Sequence, residues 1–525
     1  MPNLDILKHY ITKDEPFGPI DSYQIGAADI DALKLLFDKQ NRIYKSFRNR
    51  PSIITGRRGS GKTSYLRSVY FDNQYNSYIE IQTAGAIEHI ANIIQELSGD
   101  TVFTETLWKL WEKFLWTCVL ANIEQTQFPS LSKESLVIAK YLRGMNIEHD
   151  DSMDTVLWKL AESCKEVVNA SSKNGLSEIL RQFDEKCFEE AKAIAIVGLK
   201  SKGSRAVILM DSLEDFKLNI PSIERAIQGL LKCAGAMNNP KDVVDLRLCL
   251  PTELSGKITE ISSNPIKDFN REVKLEWTAK ELISIGAQRL MYFIGLYYPE
   301  FIRGKSPLDE LTRDEALMLF RVVLPEKITN QNNFHETPIS YILRHTQLLP
   351  RHFLMLLNSI FKRSSLTQSL NSFPVRQEKI IYGIRQVEER IVKEIFGAFR
   401  TIYPTAEEVC KRCLPQLPHV FSGGALRQVY NRHGKMVFHG DEFFNFQQML
   451  IEIGAIGRVI HGLESDLYIK GKFKYTVGHD LPINYEDYLC LHPLFSGIYS
   501  SGKRERPIYP DGSGPDDEDY RNIDD

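Results

Sequence analysis

Residues 56–63 constrain the fold of this chain more than any other segment of its 525 residues. They read Gly-Arg-Arg-Gly-Ser-Gly-Lys-Thr and fit the pattern G-x-x-x-x-G-K-S/T, in which a loop between a strand and a helix cradles phosphates. An apolar run with strand character, residues 52–55, directly precedes the loop, and a helical run, residues 64–69, follows it. The sequence therefore predicts a nucleotide-binding loop within an α/β domain.

The residue types of the loop suit a nucleoside triphosphate. Its glycines let the backbone turn so tightly that successive N–H groups point into one concavity, and the following helix adds its positive dipole end. Lys62 is expected to reach the outer two phosphates, and the Thr63 hydroxyl to bind Mg²⁺. The residues predicted to bind nucleotide here are Gly56, Arg57, Arg58, Gly59, Ser60, Gly61, Lys62, Thr63 and Ser64.

Composition limits the class of protein. A chain of 525 residues suggests about three domains, and 25% charged with 43% hydrophobic residues is ordinary for a soluble protein. The net charge of -3 argues against a globally basic nucleic-acid binder. No stretch approaches 18 uninterrupted apolar residues and no apolar leader segment is present, so we expect a cytoplasmic protein without membrane contact.

The eight cysteines are scattered without framework spacing, as reduced thiols of a cytosolic protein are. Cys410 and Cys413 form one C-x-x-C pair, but zinc usually needs a second pair, and none is nearby. The sequence therefore predicts no metal at these cysteines.

Further strands are predicted at residues 78–82, 206–210, 243–250 and 272–277. Between the second strand and the third, residues of about 100–203 keep helical periodicity, in one aromatic-rich helix and three further segments. A parallel sheet needs only one crossover helix there, so this is a large helical insertion. Its tryptophans either form a partner-binding face or, as is more usual for an aromatic stripe at helical spacing, belong to the core.

The apolar run 206–210 ends in Asp211, which is typical of a buried parallel strand. An acid at the carboxyl end of such a strand lies in the crevice where these sheets bind ligands. Asp211 is therefore predicted to share the Mg²⁺ with Thr63. Thr252 follows the strand 243–250 and is predicted to face the γ-phosphate.

The order of these features resembles that of P-loop ATPases in the AAA+ and STAND group, especially their initiator-like and signalling branches. The resemblance covers roughly residues 25–365 and is carried by four segments. These are the loop 56–63, Val-Ile-Leu-Met-Asp-Ser-Leu-Glu-Asp at 207–215, Leu-Arg-Leu-Cys-Leu-Pro-Thr at 246–252 and Leu-Glu-Trp-Thr-Ala-Lys-Glu-Leu at 275–282. It implies that the nucleotide is ATP and that residues 278–370 form a small helical lid.

Within that lid, residues 347–358 are similar to the helix-opening segment whose arginine senses the γ-phosphate. Arg351 matches that arginine, which implies a guanidinium that covers the phosphates opposite Lys62. Members of the group commonly place a glutamate directly after the strand-ending aspartate, but Ser212 stands here. Glu214 is the next carboxylate, with Asp215 beside it, and either is a candidate to orient the attacking water, unless both merely begin a solvated loop. If neither does, hydrolysis would be slow and the protein would act as a nucleotide-held switch.

The remaining domains are predicted from periodicity. Residues 1–24 form an N-terminal extension, 25–277 the ATPase core, 371–497 a helical linker with a winged-helix domain, and 498–525 an acidic, disordered tail. The linker and winged helix together comprise helices 377–399, 404–418, 421–432 and 443–453, and a hairpin of 467–470 and 472–477 that turns at Gly471. Its basic residues suit DNA phosphates, whereas interspersed acids suit a protein-docking module, and both uses stay open.

These features together predict an α/β chain with a P-loop NTPase sheet, a helical insertion, a lid and a winged helix. We expect an ATP-binding switch, with slow Mg²⁺-dependent hydrolysis, that recruits a protein partner or effector. The resemblance alone implies a setting in bacterial antiphage or stress defence. The alternatives are an initiator-like, ATP-dependent DNA-binding protein and a nucleotide-stabilised scaffold. Ring-forming members of the group place an arginine finger just before the strand that corresponds to 243–250, and none stands there in this sequence. The resemblance therefore disfavours a hexameric ring relative to a monomer or an assembly formed on activation.

Overall fold

The structure is a computed structural model. It describes residues 4–26, 29–38, 41–71, 74–97, 104–126, 133–170, 175–211, 220–237, 242–254, 256, 259–260, 262, 271–299, 313–330, 333–362, 373–438, 442–463, 467–477, 481–484, 486–499 and 506–514. The chain divides into two compact units. We call Lys39–Arg57 with Gly61–Leu275 the P-loop unit, and Met1–Asp38, Arg58–Ser60 and Glu276–Asp525 the C-terminal unit. Across the described residues, no helix is long and apolar enough to cross a membrane.

The P-loop unit is built on a five-stranded parallel sheet. Its strands are β1 (Ile53–Gly56), β2 (Ser77–Ile81), β3 (Ala206–Met210), β4 (Val244–Pro251) and β5 (Glu272–Leu275). They lie in the order β2-β3-β4-β1-β5. Every residue of β1, β3 and β4 is buried, as expected for a parallel sheet covered on both faces. The five predicted strands are confirmed to within two residues at either end, and β3 agrees residue for residue.

The α-helices are numbered along the chain. They are α1 (Ile30–Leu36), α2 (Arg42–Ser46), α3 (Lys62–Arg67), α4 (Thr83–Glu96), α5 (Thr104–Thr126), α6 (Lys133–Gly144), α7 (Met153–Ala170), α8 (Gly175–Glu185), α9 (Phe188–Ser201), α10 (Pro221–Met237), α11 (Ala279–Tyr297), α12 (Arg313–Val323), α13 (Pro338–Leu343), α14 (Pro350–Phe361), α15 (Gln377–Phe399), α16 (Ala406–Cys413), α17 (Gly423–Val429), α18 (Phe443–Glu452) and α19 (Pro493–Tyr499). Helices α2–α10 belong to the P-loop unit, and the others to the C-terminal unit.

The predicted helical insertion is confirmed as α5–α9, with one more helix than the periodicity suggested. Its central tryptophan belongs to the core. Trp111 is fully buried, and its indole N–H donates to the carbonyl of Ala226 in α10 at 2.8 Å. Trp116 is buried as well, whereas Trp158 is half-exposed. The insertion is therefore anchored to the sheet domain by aromatic packing of α5 on α10.

The C-terminal unit contains helices α11–α19, a short hairpin and a second sheet. Thr278 and Glu281 form a capping box at the start of α11, and α15 has the predicted bounds. The strands are β6 (Ile328–Thr329), β7 (His335–Glu336), β8 (Val420–Ser422), β9 (Ile456–His461), β10 (Ile469–Lys472), β11 (Tyr488–Leu491) and β12 (Ile508–Pro510). The second sheet has the order β12-β10-β9-β11-β8, and only its β10–β12 pair is parallel.

The predicted hairpin with a turn at Gly471 is wrong. Gly471 lies within β10, which pairs with β9. Residues 474–476 form a 3-10 turn. A Cβ at Gly471 would lie 2.5 Å from the Cys490 sulfur, so the glycine permits close packing and does not form a turn. The predicted helix 421–432 begins two residues later than expected, because β8 occupies its first residues and Ser422 caps α17. A π-helical turn, Tyr430–Gly434, then continues it past the predicted end. The winged-helix assignment stays a prediction.

Order continues beyond the predicted start of the tail at residue 498. Pro493 begins α19, as proline commonly does at the first turn of a helix, and β12 follows. Tyr509 in β12 is buried, and its hydroxyl donates to the buried Glu336 carboxylate at 2.6 Å. The acidic residues 515–525 lie outside the described residues.

Candidate nucleotide-binding site

The predicted phosphate-binding loop connects the buried strand β1 to α3. Gly59 and Gly61 have φ values of 84° and 92°, in the left-handed region that favours glycine. Side chains with a Cβ are strained there, so glycine is favoured at both positions for a backbone reason, although the pattern itself requires only Gly61 of the two. Ser64 lies in the first turn of α3 and is half-buried.

Lys62 is the first residue of α3, and its side chain is buried. Its ammonium donates to the carbonyl oxygens of Gly56 at 3.0 Å and Arg57 at 3.2 Å. Both acceptors belong to the loop itself, so the positive charge is held within the turn of the backbone. A phosphate group bound by the loop would meet this ammonium.

The two predicted metal ligands are brought together. The Thr63 hydroxyl donates to the Asp211 carboxylate at 2.6 Å, although the two residues are 148 positions apart. The pairing follows from the parallel sheet, because β1 and β3 both end at the same edge. A hydroxyl and a carboxylate are hard oxygen ligands, which suit Mg²⁺.

Thr83 supports this pair and was not predicted to take part. It is the buried first residue of α4, and its hydroxyl donates to the Asp211 carbonyl. The bond fixes the backbone where the chain leaves β3. In the sequence, the one indication of this role is that Thr83 carries a hydroxyl and closely follows β2, the strand beside β3.

The end of β4 lies beside the loop because Gly56 of β1 pairs with Pro251 of β4. Thr252 follows directly, and its buried hydroxyl has no hydrogen-bond partner among the residues that the structure describes. The adjacent Glu253 has a buried side chain, whose carboxylate lies 4.0 Å from the Arg57 guanidinium. Sequence reasoning assigned no role to Glu253. It is a described carboxylate at this edge, whereas Glu214 lies outside the described residues.

The tip of the loop, Arg58–Ser60, belongs to the C-terminal unit, where it contacts α14. The Arg351 backbone N–H donates to the Gly59 carbonyl at 3.3 Å. A Cβ at Gly59 would lie 3.1 Å from the Arg351 Cβ. Arg351 is the second residue of α14, directly after Pro350, so its N–H is one of the first-turn donors that no carbonyl of the helix can accept from. The carbonyl of Gly59 in the loop accepts this hydrogen bond instead.

The Arg351 guanidinium forms an ion pair with Asp21, with an N–O distance of 2.8 Å. Sequence reasoning could not identify this partner, which lies 330 positions away. The Trp277 indole donates to the Ser60 carbonyl at 2.8 Å. The Ser60 hydroxyl is buried without a hydrogen-bond partner in the described part of the chain, and Arg58 reaches toward Gly397 of α15.

Cys410 and Cys413 are buried on α16, and burial raises the pKa of the Cys413 thiol to about 11, so it stays protonated at neutral pH. Within the described ranges, no group of three or more histidine, cysteine, aspartate or glutamate residues could hold a metal.

Comparisons with known proteins add little to this geometry. No protein-family model matches the sequence, and no curated protein sequence matches it. One solved structure to which the chain is similar is the ORC2 protein of Aeropyrum pernix, solved as ADPNP–ADP complexes. The sequence identity is 10%, the match covers 90% of this chain and 93% of that one, and the TM-score is 0.37. At these values we transfer neither function nor ligand to this chain.

The fold and the geometry of the loop together define the structural class to which this chain belongs. The chain has an α/β P-loop NTPase fold, with a parallel five-stranded sheet, a helical insertion and further helices and a second sheet at its C-terminal end.

Proposed function

We propose that this protein is an ATP-binding molecular switch that uses Mg²⁺. The hydrogen bond between Thr63 and Asp211 carries the proposal, because it places a hydroxyl and a carboxylate together at the foot of a glycine-rich loop. The loop N–H groups and the Lys62 ammonium would hold the phosphates. Thr63 and Asp211 would hold the Mg²⁺, which neutralises phosphate charge. Adenine is inferred from the resemblance to AAA+ and STAND ATPases, since no guanine-reading N-K-x-D motif is visible.

Arg351 is the proposed sensor. Its backbone contacts the loop tip at Gly59, and its guanidinium pairs with Asp21. A terminal phosphate near the loop would compete with the Asp21 carboxylate for this guanidinium. Because the competing group is present in ATP and absent in ADP, the exchange of ion pairs would distinguish the two nucleotides.

A route for the signal lies within the C-terminal unit. Gln347, shortly before α14, donates to the carbonyl of Ile453 at the end of α18, with an N–O distance of 2.9 Å. A Cβ at Gly454 would lie 2.6 Å from the same Gln347 amide nitrogen. The segment that carries Arg351 is thus packed directly on the turn leading into β9. A displacement of α14 would move the second sheet with it, which supports a switch that changes a docking surface.

We expect the Arg351→Gln variant to bind ATP ten- to a hundredfold more weakly and ADP almost unchanged. The reason is the loss of a charge-assisted contact worth about 1.5–3 kcal/mol. Asp21→Asn should have the opposite effect and strengthen ATP binding, because it removes the competing carboxylate. Calorimetric titration with both nucleotides checks this. Arg390→Gln, an exposed arginine in an ion pair on α15, is the matched control. An equal loss of ATP and ADP affinity in Arg351→Gln would contradict the sensor role.

Docking of a protein partner is the favoured use of the second sheet. Several of its basic residues already have acidic partners: Lys470 lies 3.2 Å from Asp511, and Arg458 lies 3.9 Å from Asp487. Large apolar side chains are exposed nearby in sequence, with Met436 77% and Leu467 72% exposed. A surface whose cations already have acidic partners and whose apolar side chains are exposed is better suited to binding a protein than to binding the phosphate backbone of DNA. A defence setting and assembly on activation remain proposals from the resemblance.

The alternative is an initiator-like, ATP-dependent DNA-binding protein. It rests on Arg427 and Lys435, whose charges lie over the rings of Phe443 and Tyr430. DNA binding of that kind weakens steeply with salt, by about a thousandfold between 50 and 200 mM for six phosphate contacts. For the full-length protein with ATP we expect a much shallower dependence, measured by fluorescence anisotropy of a labelled duplex. A steep slope that disappears in Arg427→Gln would instead favour the initiator.

A further inference from the structure

The parallel sheet carries a second charged cluster, at the edge opposite the loop. Three of its four arginines lie just before the amino ends of strands and the fourth, Arg247, lies midway along β4, whereas Lys62, Thr63 and Asp211 lie beyond the carboxyl ends. We define the arginine cluster as Arg50, Arg205, Arg247 and Arg271, with Asp245 and Tyr75 between them. Arg205 and Asp211 bracket β3, and at about 3.3 Å per residue they are about 20 Å apart. Arg205 is thus far from the candidate nucleotide site, whereas Arg247 pairs with Leu209, two residues before Asp211.

The buried carboxylate of Asp245 lies among several guanidinium groups. Asp245 is 1% exposed and accepts a hydrogen bond from the Tyr75 hydroxyl at 2.8 Å. The closest nitrogens of Arg50 and Arg205 both lie 3.4 Å from its oxygen. Charge-assisted hydrogen bonds are usually about 2.7–2.9 Å long, so both contacts with Asp245 are long, and Arg205 also donates to the Asp242 carbonyl. Burial raises the pKa of Asp245 although Tyr75 and the charges of Arg50, Arg247 and Arg271 oppose this.

Arg247 is the most deeply buried member. It is 1% exposed, its guanidinium lies over the rings of Phe47 and Tyr75, and it donates to the Tyr75 hydroxyl at 3.3 Å. In the described part of the chain, three buried guanidinium nitrogens have no hydrogen-bond partner: Arg247 Nε, Arg205 Nε and Arg271 Nη1. Buried donors on cationic groups are costly to leave unsatisfied. Their occurrence on three arginines around one carboxylate indicates a site with surplus donors and surplus positive charge.

Two members of the arginine cluster are partly exposed to solvent. The side chain of Arg205 is 24% exposed and that of Arg50 is 13% exposed, whereas Asp245 and Arg247 are buried. A ligand that approached Arg205 and Arg50 would meet guanidinium groups that flank different strands. The planar fork of arginine matches the oxygens of a phosphate group, which accept two parallel hydrogen bonds.

We propose that the arginine cluster is a second anion site, which binds a phosphate group that is either free in solution or carried as a small monoester. The bound oxyanion accepts from the unsatisfied donors of Arg205, Arg247 and Arg271 and takes over part of the role of Asp245. The site does not depend on nucleotide binding at the loop. It would make the stability of the P-loop unit respond to phosphate concentration, since a ligand that binds only the folded state stabilises it.

The test uses full-length protein in the Lys62→Ala background, so that phosphate bound at the loop does not interfere. Inorganic phosphate and ribose 5-phosphate are titrated by calorimetry, and the thermal midpoint is followed in parallel. We expect saturable binding that weakens at least tenfold in Arg205→Gln. Asp245→Asn should bind severalfold more tightly, because the competing carboxylate is gone. Arg181→Gln, an exposed arginine on α8, is the matched control and should change nothing.

The two probes identify the source: equal affinities indicate the free oxyanion, and tighter binding of ribose 5-phosphate indicates a monoester. A purely structural ion-pair network makes a different prediction. It requires Asp245→Asn to lose stability, with no recovery on addition of either probe. That result, or phosphate binding that is absent from the Lys62→Ala protein, or unchanged affinity in Arg205→Gln, overturns the proposal.

Discussion

Replacement of Lys62 by alanine is expected to weaken the binding of Mg²⁺–ATP about a hundredfold. The Lys62 ammonium is buried within the loop, 3.0 Å from the Gly56 carbonyl, where its charge is poorly screened by water. A hydrogen bond to a charged group contributes about 1.5–3 kcal/mol, and two phosphates share this ammonium in the proposed complex. A loss of about 2.7 kcal/mol corresponds to a factor of a hundred in the dissociation constant.

Calorimetric titration of the full-length protein measures this effect. Lys393→Ala is the matched control, because Lys393 is an exposed lysine whose ion pair with Glu389 lies on α15. The thermal midpoint of Lys62→Ala should be recorded as well, since the carbonyls of Gly56 and Arg57 lose a donor. A folded Lys62→Ala protein with wild-type affinity for ATP would remove the basis of the proposed function.

Asp211→Asn is expected to abolish most of the Mg²⁺ dependence of ATP binding and to slow single-turnover hydrolysis at least a hundredfold. The amide can still accept the hydrogen bond from Thr63, so the fold should be preserved. The negative charge that attracts the metal is lost, and Mg²⁺ prefers charged oxygen ligands. Affinity for ATP should be measured with Mg²⁺ and with a chelator, in wild type and variant.

Two substitutions of Thr63 separate an effect on metal binding from an effect on folding at the Thr63–Asp211 pair. Thr63→Ser keeps the oxygen that donates to Asp211 and should behave like wild type, whereas Thr63→Val should match Asp211→Asn. If wild type itself shows no single-turnover hydrolysis, the protein is a nucleotide-stabilised scaffold. Glu214→Gln and Glu253→Gln then need no further assay. If hydrolysis is present, these two variants decide which carboxylate orients the water.

Much of the fold was predictable because its signals are local. The run Ala206–Met210 is apolar at every position, and a fully buried parallel strand permits little else. The bounds of α15 agree with prediction because an apolar stripe at helical spacing begins and ends with the helix. The hairpin at Gly471 was wrong for the converse reason: a glycine can mark either a turn or a close contact, and only Cys490 of β11 decides between them.

The sequence by itself determined the loop 56–63, its glycines and the location of Thr63 and Asp211 at one edge of the sheet. That location follows because parallel strands end at the same edge, and the strand order, with only β4 between β1 and β3, then brings the two residues together. Only the tertiary structure decided that Thr83 holds the Asp211 backbone, that Asp21 pairs with Arg351, and that the arginine cluster gathers around Asp245. Those contacts join residues far apart in the chain, and no short-range pattern encodes them, because they depend on strand order and packing.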